Sequence, residues 1–398
     1  MRVPSSPPLL SPPLFALALI LGGCAGARGR PGVAEARGFF YGDNAGLTVV
    51  TAGATVDQPI SSDVDVFAHA VIDHLRIVPS TPKETSVVGP NQPTGHDPHE
   101  GELVSGASAR VVGGAITEKS RVEGLLGASA VGSVAGQPAA IGAQGRVSSE
   151  PDYLSFSGLL DGRVALFEQN FVLTGFVGYG HDTVSPLDAP PGQASLWPAS
   201  HQRVNGGLTA SQILSRTLIL AGGFAATNQL GVLASPYRRA LVRTSLFPEV
   251  VPSSRARYTA FAELSWYVGW AASLRLRQGL YADSWGVIGF VPEAAIVKEL
   301  GKDGLLTLRY RFYRQSAASF YRRQYDDIEE IMSSDPRLGW THEHAPGVAL
   351  RWTVIGRRND FGALTLDGSY DVSVLDYEDA GSPTVIGHLV GVGAVLSY

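Results

Sequence analysis

The chain has 398 residues, with 31 Lys or Arg against 36 Asp or Glu and a formal net charge of −5. That balance, with no basic stripe, argues against nucleic acid as a partner. Only 17% of the residues are charged and 47 are glycine, and after residue 24 nothing approaches the roughly 18 to 20 apolar residues of a membrane helix. If such a chain crosses a membrane it does so with strands, which hide their hydrophobicity in alternation.

At the N-terminus Arg2 precedes the apolar run 14–21 (LFALALIL), which suits a signal-peptide core and is too short to span a bilayer. Residues 1–23 are expected to be a cleaved signal peptide. Leu21-Gly22-Gly23-Cys24 resembles the lipobox of bacterial lipoproteins, which implies lipidation at Cys24, while Ala25-Gly26-Ala27 offers a competing cleavage site. Cys24 is the only cysteine, so an intramolecular disulfide is excluded. Residues 24–34 read as a flexible tether and 35–398 as one domain.

From there the period-two pattern recurs with constant sense. In 63–73, Val64, Val66, Ala68, Ala70 and Ile72 oppose Asp63, Asp65, His69 and Asp73. In 257–268, Tyr258, Ala260, Ala262, Leu264 and Trp266 oppose Arg257, Thr259, Glu263 and Ser265. In 273–283, Leu274, Leu276, Leu280 and Ala282 oppose Arg275, Arg277 and Asp283. In 306–315, Leu306, Leu308, Tyr310 and Phe312 oppose Thr307, Arg309 and Arg311. Leu350, Trp352 and Val354 oppose Arg351 and Thr353, and Leu366, Tyr370 and Val372 oppose Asp367, Ser369 and Asp371. Arginine facing lipid at the bilayer midplane costs about 2–4 kcal/mol, so the charged face must be the lumen.

Short turns are readable at 58–61, 215–216, 269–270, 301–304 and 356–359, and long loops at about 77–118, 183–201, 229–255 and 318–342. The final segment, 383–398, puts Val390, Val392, Ala394, Leu396 and Tyr398 on one face and Gly387, Gly391, Gly393 and Ser397 on the other. An apolar stripe ending on an aromatic is the signature of a last barrel strand. It is expected to address the barrel-assembly machinery. The fold predicted is an all-β, transmembrane antiparallel barrel of about 16 strands (14–18), placed in the outer membrane of a Gram-negative bacterium in contact with its lipid. A soluble β-sandwich also alternates, but does not put long loops on alternate connections.

Five segments stand out: Ser148-Ser149-Glu150-Pro151-Asp152-Tyr153, Ser235-Pro236-Tyr237-Arg238, Tyr281-Ala282-Asp283-Ser284-Trp285-Gly286, the run 310–321 (YRFYRQSAASFY) and Ser334-Asp335-Pro336-Arg337-Leu338. They resemble the bacterial family of domain of unknown function 3570, predicted outer-membrane barrels of unassigned activity. Their order also matches. The resemblance covers about 60–398 and implies a barrel without implying a substrate.

Candidate chemistry is sparse. His96 and His99, in His96-Asp97-Pro98-His99-Glu100, and His342 with His344 are the metal candidates, each outweighed by a plain surface reading. No nucleophile elbow or nucleotide-binding glycine pattern occurs, so neither an enzyme nor a cofactor is expected. Arg257, Glu263, Arg275, Arg277, Asp283, Arg309 and Arg311 are expected to line the lumen. There the arginines either draw anions into a pore or pair with carboxylates in a filled lumen. Tyr310, Phe312, Tyr313, Phe320, Tyr321, Trp266, Trp270, Trp285, Trp340 and Trp352 read as interface girdle and packing. Three functions stay open: a pore or transporter for a small solute, a scaffolding barrel with a periplasmic or surface protein partner, and a rim-sited enzyme.

Overall fold

The computed structural model describes residues 31–77, 117–186, 196–356, 362–378 and 384–398. The signal peptide expected at 1–23, Cys24, His96 and His99 lie outside the described residues.

Sixteen antiparallel strands close into a barrel. In chain order they are β1 (Val33–Asp43), β2 (Leu47–Pro59), β3 (Val64–Ile77), β4 (Thr117–Val134), β5 (Gln137–Glu150), β6 (Tyr153–Leu166), β7 (Phe171–Val184), β8 (Ala199–Ser215), β9 (Leu218–Gly231), β12 (Ser254–Gly269), β13 (Ala272–Asp283), β14 (Ile288–Leu300), β15 (Gly304–Gln315), β16 (Thr341–Ile355), β17 (Ala363–Tyr377) and β18 (Val385–Ser397). Two short strands, β10 (Arg239–Val242) and β11 (Ser245–Pro248), form a hairpin apart from the wall, between β9 and β12. β1 begins at Val33, two residues ahead of the boundary expected from the sequence. The ring closes where β1 meets β18, from Val33↔Ser397 to Asp43↔Gly387, and Gly32 and Tyr398 extend the seam with two more backbone hydrogen bonds.

The pairing register carries the sequence alternation intact around the ring. Leu126, Leu208 and Val392 are 60% or more exposed on the outer face, as part of an apolar belt that a water-soluble sandwich would bury. Trp266 and Trp352 stand on the outer face toward one end of their strands, and Tyr179 and Tyr258 toward the other, as an aromatic girdle does.

At one end lie both chain termini of the wall, the connections 60–63, 135–136, 167–170, 216–217, 270–271 and 301–303, and the strand ends Ile355 and Ala363. At the other lie the long connections 232–253 and 316–340 and the short turns 44–46, 151–152 and 284–287, together with the strand ends Ile77, Thr117, Val184, Ala199, Tyr377 and Val385. In outer-membrane barrels the short-turn end is periplasmic and the long loops face outward. Two prolines interrupt the wall. Pro292 in β14 and Pro346 in β16 carry no N–H, and the β14–β15 and β16–β17 pairings lapse beside them.

The two faces of β18 give a direct test. Val392→Arg places a cation in lipid and is expected to destabilise the barrel by about 2–4 kcal/mol. Val395→Arg points inward, opposite Glu35 on β1, and is expected to be tolerated. Denaturant titration in lipid vesicles reads both, and equal losses would contradict the register.

Candidate functional site at the barrel mouth

The connections 232–253 and 316–340 fold onto each other at the long-loop end. Val250 and Met332 exchange backbone hydrogen bonds of 3.0 and 2.8 Å, and the Tyr325 N–H donates to Leu241 O at 2.8 Å. Beneath these bonds Ala240, Val242, Tyr325 and Met332 form one small apolar core, and Trp285, Val287, Ala318, Tyr321 and Leu338 form another. The two loops are therefore one packed body, anchored by hydrophobic residues that outer-face periodicity does not account for.

Polar contacts fasten this body to the wall on two sides. The Tyr237 hydroxyl donates to Asp152 in the 151–152 turn, and Lys119 of β4 reaches the same carboxylate at 2.6 Å with its ammonium 4.7 Å over the Tyr237 ring. One residue on, Arg238 pairs with Asp335 at 2.6 Å, and Arg337 reaches that carboxylate at 3.2 Å. The Gln315 side-chain amide of β15 then donates to Arg337 O at 2.6 Å and to Gly339 O at 3.0 Å. β4 and β15 stand on nearly opposite sides of the ring, so these contacts form a strap across the mouth. A third anchor lies at the edge of β12, where Arg255 pairs with Asp283 and stacks 4.2 Å from the Trp285 ring.

Two buried carboxyls sit inside the strap. Glu249 accepts from the Ser333 hydroxyl and from the Ser235 N–H at 3.1 Å. Burial pushes the Glu249 and Asp335 carboxyls above the usual carboxylate range, in spite of the Arg238 guanidinium.

Below the strap the lumen wall is charged and paired. Register places all seven residues expected in the lumen on the inner face. Arg275 and Arg277 each lie 3.6 Å from Glu263, Arg311 pairs with Glu343 at 2.9 Å, and Arg309 pairs with Asp371. The last pair reaches across β16, where Gly347 leaves the space and any Cβ would collide with both partners. Arg257 stands opposite Asp283. Glu263, Arg277, Glu293 and Arg311 alternate in sign along a single cross-strand row. Exposure separates the two levels. The Arg275 and Arg277 side chains are 44% and 38% exposed, whereas Asp152, Asp283 and Asp335 at the mouth are 2%, 0% and 2%. Water reaches the wall below, and the mouth is packed.

Sequence reasoning missed a second charged network, on the inner face of β3 to β8. Arg121 pairs with Asp73 and lies 3.5 Å from Glu123, and Arg146 also pairs with Glu123. Asp182, fully buried, meets the His201 Nε2 at 2.8 Å and Arg203 at 3.8 Å. Ser155, Asp182 and His201 are direct cross-strand neighbours in that order. The carboxylate stands between the other two, so no imidazole is placed to take the serine proton.

The histidine candidates on β16 face outward. His342 lies 3.3 Å from Asp376 and 3.1 Å from Glu378, and His344 contacts the Tyr310 hydroxyl at 2.6 Å. No group of three or more His, Cys, Asp or Glu side chains able to hold a metal is present among the described residues. Of the aromatics, Trp285, Phe320 and Tyr321 belong to the mouth core and Tyr313 faces inward, so their part is packing rather than girdle.

All five segments that carry the family resemblance reach this mouth. Asp152 meets Tyr237, Arg238 meets Asp335, and Trp285 packs with Tyr321 and Leu338. Comparison with known proteins agrees on the family. A family model described as protein of unknown function (DUF3570) matches residues 40–361. No curated protein matches the chain. Among solved structures the chain is similar to a bacterial polysaccharide outer membrane secretin, at 9% identity and a TM-score of 0.48, over 92% of this chain and 98% of that one. It is also similar to OccD3 (OpdP) of Pseudomonas aeruginosa, at 9% identity and 0.46 over 94% and 93% of the two chains. For OprD of the same organism the values are 9% and 0.42, over 94% and 97%.

Two outcomes follow for the strap. Arg238→Ala strips Asp335 of its nearest cation, and breaking such a buried pair costs about 3–5 kcal/mol. Proteolytic nicking within 232–253 and 316–340 should appear while the heat-modifiable barrel band persists. The raised carboxyls set the pH dependence. A folded strap that binds protons more tightly than the unfolded one is most stable at acid pH, and loses that stability as pH rises from the usual carboxylate range through the raised values. Hydrogen-exchange protection of the two loops should therefore fall from acid to neutral pH, and a rise would refute the assignment.

Proposed function

Since this chain belongs to the protein family of unknown function DUF3570, its activity has to come from its own geometry, and we propose that it is an outer-membrane pore or transporter for a small solute. The observation that carries this reading is the exposure gradient inside a closed sixteen-strand wall: a wetted, charged lumen beneath a constriction held by the strap. A filled scaffold has no use for solvated arginines in its lumen. The Ser155 row does not supply a serine–imidazole contact for nucleophilic catalysis.

Selectivity follows from the pairing. On β12 to β18 the seven inward arginines face seven inward carboxylates, whereas on β1 to β9 nine inward carboxylates face six cations. Bare arginines would favour anions, but a wall with this excess favours cations. Purified protein in planar bilayers should carry a small ohmic current with cation-selective reversal potentials. Conductance should rise several-fold when Arg238→Ala and Asp335→Ala open the strap.

The strap itself favours a second reading, a scaffolding barrel closed at its outer end around a protein partner. Absence of current from both the native protein and the opened variant, with a stable co-purifying partner, would select it.

A further inference from the structure

Histidine is distributed over this barrel in a way that neither the wall nor the strap requires. Seven of the nine histidines fall among the described residues. His69 and His201 point inward, whereas His74, His181, His342, His344 and His388 point outward. Four of the outward ones share a level. His74, His181, His344 and His388 each stand three residues from the long-loop end of their strands, at Ile77, Val184, Thr341 and Val385. The outward, exposed Tyr179, Tyr310 and Tyr370 lie one pleat nearer the membrane centre, because they stand level with Val204, Pro346 and Val390. The histidines therefore sit just above an aromatic girdle, where hydrocarbon gives way to headgroups.

Three of the four rings are held in the same way. A hydroxyl of the adjacent strand engages Nδ1: Ser120 at 3.1 Å from His74, Tyr310 at 2.6 Å from His344, and Tyr370 at 2.8 Å from His388. Nε2 of these three has no hydrogen-bond partner among the described residues. Fixing one ring nitrogen orients the other, so each Nε2 is presented outside the wall. When the hydroxyl donates to Nδ1, Nε2 carries the ring hydrogen, and in a charged ring it carries one as well. His342 stands apart, with its two nitrogens 3.3 Å from Asp376 and 3.1 Å from Glu378.

Positive charge stands one pleat above on the same face. Arg76 follows His74 along β3, and Arg314 lies directly across from His342. Their side chains are 49% and 55% exposed, and the nearest carboxylates, Glu118 and Glu378, are 3.5 and 3.7 Å away. Pairs that long and that exposed hold a guanidinium weakly and leave it able to take a second anion. An occupant of this level must reach β3, β16 and β18 at headgroup height and offer anionic acceptor oxygens. A lipid phosphate meets both conditions.

We propose that this outward histidine belt binds the phosphate groups of lipid headgroups in the leaflet on the long-loop side, and so sets the height at which the barrel sits. Nε2 of His74, His344 and His388 meets phosphate oxygens, and Arg76 and Arg314 supply charge above them. The belt lies outside the wall and works whether or not the lumen conducts.

Full-length protein labelled with nitrogen-15 histidine, in dodecylmaltoside at neutral pH, allows each imidazole to be followed by long-range proton–nitrogen spectra. The probe is dihexanoyl phosphatidic acid, with dihexanoyl phosphatidylcholine and inorganic phosphate as controls at equal ionic strength. Saturable shifts of the His74, His344 and His388 Nε2 signals are expected with phosphatidic acid, while His69 and His201 stay unmoved. The single variants His74→Gln, His344→Gln and His388→Gln assign the signals, and the triple variant is expected to bind tenfold or more weakly. Arg76→Gln together with Arg314→Gln should weaken binding several-fold. Unmoved outward signals, equal shifts with phosphatidylcholine, an Nε2 without its hydrogen in the bound form, or full affinity in the triple variant would overturn the proposal. An equal response to inorganic phosphate would overturn the lipid as occupant and leave a site for free anions. If the triple variant loses its heat-modifiable band, the titration of the native protein and the arginine pair decide.

Discussion

In hydrocarbon there is no water to take up a backbone N–H or C=O, so a strand that crosses a bilayer must be hydrogen-bonded along both edges. For this chain the requirement is met only when β1 finds β18, and everything else in the architecture follows from that closure. A closed ring has an inside and an outside, and the period-two geometry of a strand divides each sequence between them. The charged half has one destination, because arginine is too costly in lipid. The seam is short of side chains on its inner face, where Gly387, Gly391 and Gly393 stand on β18. Tyr41, Phe39 and Asp367 lie over those positions.

That flat lie of long side chains over glycine recurs and controls the bore. Arg309 and Asp371 meet above Gly347, so two charges neutralise each other at the wall. The mouth follows the opposite rule. There the carboxylates of Asp152, Asp283 and Asp335 are buried, and two loops with their own apolar cores bridge the opening. The wall and the strap are thus stabilised by different means: the wall by a hydrogen-bonded lattice, the strap by burial and ion pairs.

This difference also explains what could be read from the sequence. The wall is local in its code. Alternation in 257–268, 273–283 and 306–315 fixed which residues face inward, and the long gaps between strands marked the outer loops. The strap has no period. Tyr237 and Asp152 are 85 residues apart and Ser333 and Glu249 are 84 apart, and such pairs leave no trace in composition or spacing. Arg238, Glu249, Lys119 and the Asp182–His201 pair were missed for that reason. One signal was available. The family-like segments at 148–153, 235–238, 281–286 and 334–338, and the end of 310–321, all fall at or beyond the same ends of the strands. Their shared level could have shown that they meet.

The separation of those partners also fixes an order of events. Tyr237 cannot find Asp152, nor Arg238 find Asp335, until strands about a quarter of the ring apart have been set at their final distance, because closing such long loops is costly in chain entropy. The strap is therefore a late step that reports on a finished wall. A barrel with a misregistered seam would still possess every strand, yet its mouth residues would not align. The contacts that bridge the mouth therefore require a ring whose seam is in register.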